Sequence, residues 1–244
     1  MKKIIIIALI FAITAAIIVP VTLHKNEVNA VYYVHEIGDD QFITDNDPNL
    51  HIYVSYPQIG IENIDNEISN WANALSQSIS DNTDIEINVQ YNSYKISDRF
   101  ISIEEIIYEN GPGLDDITES VKIFNIDMQS QKLISNNEIL DSANIKVLDL
   151  LKKKIEKNNK NIDKNLLNSI NKDWLNNIIL AKNGVKIILP QGALSPSGTT
   201  AISLSKSELG KAYLLNTLPI TSPPPEPSST PPPSGSPQAA QRFS

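Results

Sequence analysis

Cysteine is absent from the 244 residues, which excludes disulfides and thiolate metal sites. A chain that folds outside the cytoplasm without them is stable by packing alone. Histidine is scarce: only His24, His35 and His51 occur, and no two stand at the i, i+4 spacing that sets two zinc ligands on one helix face. His35 and His51 lie beside extended stretches and read as structural. There is no G-x-S-x-G elbow and no Walker loop. Residues 45–49 (Asp-Asn-Asp-Pro-Asn) start like a calcium loop. Leu50 then stands where Gly is required and Tyr56 where Glu is required, so the segment reads as a polar turn. No cofactor and no metal site is expected.

Positive charge is missing from one half of the chain. Residues 31–121 hold eighteen Asp and Glu against Lys95 and Arg99 alone, a net of −16. Residues 122–219 hold fourteen Lys against eight Asp and Glu, a net of +6. Such a division speaks to partners rather than to fold, and its plain alternative is a pair of solvated faces. Nothing in it suggests nucleic acid.

What is present begins at the N-terminus. Lys2 and Lys3 precede an apolar run over residues 4–19. Residues 4–23 are long enough to span a bilayer at about 1.5 Å per residue. The pattern fits a signal peptide or a membrane anchor over residues 1–30, with the remainder extracytoplasmic. Val28-Asn29-Ala30 suits cleavage before Val31, whereas the long polar stretch from Pro20 favours an anchor.

Periodicity divides the rest into two α+β parts with antiparallel sheets and packed helices, residues 31–127 and 128–219. Extended stretches are expected at 31–37 and 50–56. Ile64, Ile68, Trp71, Leu75 and Ile79 recur at helical spacing. Ile85, Ile87, Val89 and Tyr91 alternate as a half-buried strand does, and 100–108 and 120–126 read as further strands. Gly111-Pro112-Gly113 between them is a structural turn. In the second part, Ser135–Glu138 and Ser205–Glu208 are capping boxes. Leu148, Leu151 and Ile155 stripe a helix whose other face is lysine-rich. Ile162, Leu166, Ile170 and Trp174 predict one more helix. Residues 178–181 and 185–189 flank Lys182-Asn183-Gly184 as a hairpin, and 201–204 form a last strand. The Pro- and Ser-rich residues 220–244 are expected to be a disordered tail.

Carboxylates are the chemistry-bearing groups. Asp39 with Asp40, Glu104 with Glu105, and Asp115 with Asp116 are the candidate binding residues on an acidic face. A glycosidase needs two carboxylates about 5 to 9.5 Å apart across a sugar site. Neighbours on a strand point to opposite faces, so Glu104 and Glu105 are not such a pair. No catalytic set is expected.

The order of elements adds a resemblance. Tyr56-Pro57, the helix from Ile64, the strand ending at Tyr108, the glycine turn and Phe124-Asn125-Ile126-Asp127 follow in sequence. Then come Gln131-Lys132-Leu133, the capped helix to Leu140, and the segments 185–190 and 204–209. Over about residues 31–212 this resembles the extracytoplasmic domain shared by RsiV-like anti-sigma factors and the N-terminal region of PdaC-like peptidoglycan deacetylases. Residues 31–127 correspond to the PdaC-like part and 128–219 to the RsiV-like part. The family's Gly-Gly-Ala-His turn is replaced here by Gly111-Pro112-Gly113-Leu114, so no role passes to a histidine. The resemblance implies a non-catalytic binding or sensing module at the cell envelope, with peptidoglycan or a basic protein such as lysozyme as the expected partner. An accessory domain truncated from a polysaccharide deacetylase is the alternative.

Overall fold

The computed structural model describes residues 39–44, 51–80, 85–111, 117–158, 162–195 and 197–219. The N-terminal apolar run, the extended stretch expected at 31–37, the 45–49 turn and the proline-rich tail lie outside the described residues, as do Pro112, Gly113, Asp115 and Asp116. No helix among the described residues is long and apolar enough to cross a membrane.

Two sheets carry the α+β fold. The larger runs β1 (Asp39–Thr44), β2 (His51–Gln58), β3 (Glu86–Lys95), β4 (Phe100–Asn110), β5 (Thr118–Asp127) and β6 (Lys132–Leu133), in that spatial order. Only β2 and β3 are parallel; their crossover is helix α1 (Glu62–Ser80). A parallel pair needs such a crossover, whereas an antiparallel pair does not. α1 buries Ile64, Ile68 and Ala72 on one face of this sheet, with Trp71 and Leu75 partly buried, at the spacing its sequence foretold. Asp65 fixes the helix entrance by accepting from the backbone N–H of Ile59 (2.7 Å) and Gly60 (3.0 Å).

The second part opens with α2 (Asn136–Ile139), α3 (Ile145–Asn158) and α4 (Lys164–Ser169). Its sheet is β7 (Ile178–Ala181), β8 (Gly184–Leu189) and β9 (Thr200–Ser205), followed by α5 (Lys206–Leu209). Val147, Leu151 and Ile155 of α3 join Ile178, Leu180, Ile187, Leu189, Ile202 and Leu204 in one continuous core. Both capping boxes form. Glu138 accepts from the backbone N–H (2.8 Å) and hydroxyl (2.7 Å) of Ser135. Glu208 accepts from the same two groups of Ser205 at 2.9 and 2.7 Å. The hairpin turn needs its glycine: Gly184 has φ +154°, and a Cβ there would stand 2.0 Å from the Leu204 carbonyl oxygen.

The single helix expected over 162–174 is instead two pieces. α4 ends with Ile170 in an extended conformation, and a 3-10 turn, Lys172–Leu175, begins anew. Asn171 causes the restart, because its side chain accepts from the Asp173 N–H at 2.8 Å. An asparagine that caps a following turn cannot also continue the preceding helix.

Candidate functional site

The polar groups of this fold converge on β4, the centre of the larger sheet. Its sequence, FISIEEIIYEN, supplies apolar residues to both faces, and both faces are covered. Ile101, Ile103 and Ile107 face α1, and Glu105 lies between them on the same side. Glu104 points the opposite way, as Ser102 does. The adjacent pair is therefore split between two interiors. Neither glutamate belongs to an exposed acidic face: Glu104 is 7% exposed and Glu105 0%. A central strand covered on both sides has no solvent face on which to display charge.

The two carboxyls are treated differently. Glu104 accepts from the Tyr94 hydroxyl at 2.5 Å and from the Asn92 amide at 3.3 Å. The Lys186 ammonium stands 5.7 Å from the centre of the Tyr94 ring. Glu105 has no partner for either oxygen, and burial pushes its carboxyl up to about 8. Directly across the strands from it stand Tyr91 on β3 and Lys122 on β5. The Tyr91 hydroxyl donates to Asp40, and burial together with that bond pushes the phenol well up. Lys122 is exposed and its ammonium lies over the Phe124 ring, 5.4 Å from the centroid. Phe124 in turn meets Trp71 of α1 edge to face at 5.7 Å. Trp71 packs against both apolar clusters beneath the helix, and Glu105 lies between Ile103 of one and Ile107 of the other, where the two clusters meet.

Asp39 and Asp40 start β1 and are exposed, as an acidic face requires. Gly111 follows β4 directly, in a half-buried position. Other exposed carboxylates of the first part are Glu62, Glu67, Glu86 and Asp98. Among the described residues, no three His, Cys, Asp or Glu side chains are grouped to hold a metal ion.

Sequence reasoning missed a second polar centre. Ser102 donates to the Asn125 side-chain oxygen at 2.6 Å, and the Asn125 amide donates to the Ile178 carbonyl at 2.7 Å. The Leu180 N–H donates back to the Ser102 hydroxyl at 3.0 Å. Both side chains are buried. They supply what the edge strand β7 lacks. The Asn177 carbonyl accepts from Ile188 of β8, so 177 and 179 face that neighbour and 178 and 180 face outward. Two side chains of the large sheet thus seal the open edge of the small one. The available signal was one small polar residue set among apolar neighbours in each strand, Ser102 within Phe-Ile-Ser-Ile and Asn125 within Ile-Phe-Asn-Ile.

A further link joins the parts at the start of β5. Glu119 accepts from the Thr199 N–H (3.0 Å) and hydroxyl (2.6 Å), and Gln191 donates to the Ile117 carbonyl at 3.2 Å. At the other end Arg99 grips Asp127 (2.7 Å) and donates to the Pro219 carbonyl at 3.0 Å.

No family model matches the chain, and no curated protein matches it. The fold itself is shared with a solved structure. A DUF3298 family protein from Pseudomonas aeruginosa PAO1 superposes with a TM-score of 0.55 at 11% identity, over 75% of this chain and 98% of that one. A second DUF3298 member, from Bacteroides fragilis NCTC 9343, gives a TM-score of 0.43 at 13% identity, over 72% and 92%. The likeness is one of fold, to a domain family named for its unknown function.

Proposed function

We propose that this chain is a non-catalytic extracytoplasmic binding or sensing module of the bacterial cell envelope, accessory to peptidoglycan modification. The observation that carries the reading is the apolar run at 4–19 behind Lys2 and Lys3, an export pattern that places the following domain outside the membrane. The sequence resemblance to RsiV-like and PdaC-like domains supplies the envelope role, and the shared DUF3298 fold is compatible with it. Glu105 itself does not fit a catalytic carboxylate, since it is fully buried and neither oxygen has a partner.

A second reading, a sensor or inhibitor of a basic protein such as lysozyme, is favoured by the exposed acids of the first part. Asp39, Asp40, Glu62, Glu67, Glu86 and Asp98 all reach solvent, although Asp98 is paired with Lys95 at 2.9 Å. Charge of one sign steers an opposite partner and speeds association roughly 10 to 1000-fold.

One experiment tests both. The full chain in detergent is mixed with purified peptidoglycan and, separately, with a basic lysozyme at low and high salt. The envelope reading expects binding to one of them without release of soluble glycan or acetate. The lysozyme reading expects association that slows steeply with salt and is weakened by Asp39→Asn with Asp40→Asn. Turnover of peptidoglycan would overturn the first reading, and salt-independent or absent lysozyme binding the second.

A further inference from the structure

We infer that Glu105 is a proton-operated latch: protonated, it lets α1 seat on the larger sheet, and ionised, it loosens that seat. The argument starts from geometry. Glu105 is wholly buried at the junction of the two apolar clusters under α1, and neither carboxyl oxygen has a partner. A charge cannot be kept in such a place without compensation; a neutral acid can. The groups facing it do not compensate it. On β3, Tyr91 spends its hydroxyl on Asp40. From α1 the neighbour at the junction is Trp71, and from β2 it is Tyr56; both are partly buried and pack against the two clusters alike. The acids of α1 are directed elsewhere: Glu62 and Glu67 are exposed, and Asp65 holds the backbone before the helix.

The remaining neighbour is the cation that ionised Glu105 would draw in. Lys122 stands directly opposite on β5, where paired side chains begin about 5 Å apart. Its ammonium lies over Phe124 and not on Glu105. Moving it inward would take it off Phe124, the ring against which Trp71 packs edge-on. Ionisation therefore acts on an aromatic contact that ties α1 to β5. The sign follows from the raised carboxyl. Stability from this group is fully present below about 4.5, falls as pH rises, and is lost above about 8. Tyr91, pushed well up, stays protonated through that window.

Hydrogen exchange on the full chain at pH 5 and pH 9 tests the latch, read as protection factors so that intrinsic exchange is removed. The parent is expected to lose at least about tenfold protection in α1 between the two pH values, while β7 and β8 keep theirs. Glu105→Gln is expected to remove that difference. Glu105→Met, apolar and of similar length, is the second variant should the amide fail to fold. Unchanged α1 protection in the parent would overturn the proposal. So would an equal loss in either folded variant, or a loss in β7 and β8 as large as that in α1.

Discussion

The two parts of this protein each hold a glutamate whose carboxyl is pushed far from its ordinary value, in opposite directions: Glu105 on the larger sheet and Glu208 on the helix after the smaller one. In the larger, acidic part, Glu105 is buried without a partner and pushed up to about 8. In the smaller, basic part, burial alone would raise Glu208. Its bonds to Lys154 (2.6 Å) and to Ser205 outweigh that and hold it down at about 2. The same residue type is an element of strain in one part and an element of order in the other. The cores differ likewise. The smaller part has one continuous apolar cluster, whereas the larger has two that meet at a carboxyl. The part that looks least optimised for stability is the one that displays the acids.

If the smaller part is the stability reservoir, truncating its centre should have the largest effect. Leu151→Ala, at a fully buried position of α3, is expected to cost about 2–5 kcal/mol. Urea unfolding measures it, and a loss below about 1 kcal/mol would erase the contrast. The seam comes next. Asn125→Ala leaves the Ile178 carbonyl unsatisfied and should cost about 1–3 kcal/mol. It should also begin to separate the two parts, seen as divergent transitions for Trp71 and Trp174 fluorescence. Coincident transitions with an unchanged midpoint would show that the edge needs no seal. The smallest effect belongs to Glu208→Gln. A carboxyl held low contributes stability that is present above about 4.5 and lost as pH falls through about 2. The partly exposed pair limits this to under about 1 kcal/mol. The variant should therefore match the parent near pH 2 and fall slightly below it at pH 6; an unchanged gap would remove Glu208 from the comparison.

Local rules were legible in the residues. α1, the 178–189 hairpin and both capping boxes stand where spacing and side-chain chemistry put them, because each depends on neighbours a few positions away. β1 was not legible: as an edge strand with exposed Asp39, Asp40, Phe42 and Thr44 it carries little alternation. Glu104 and Glu105 misled for the converse reason. A charged pair suggests solvent, but this pair interrupts a run apolar on both parities, the mark of a strand covered twice. Ser102 and Asn125 act on a strand more than fifty residues further on, a relation that no local pattern encodes.

That seam also sets an order of events. The hairpin of β7 and β8 closes over two residues, a local step of the microsecond class. Two of its outward groups, however, the Ile178 carbonyl and the Leu180 N–H, are matched by an asparagine and a serine that must first be brought level across β4 and β5. In a chain made from its N-terminus, that receptor is complete before the hairpin is synthesised. The docking step then becomes a fit between two finished pieces rather than a search by an open strand. A stray strand from another molecule finds two fixed contacts at one spacing instead of a continuous ladder. The edge is thus read as an address, admitting its own hairpin in one register.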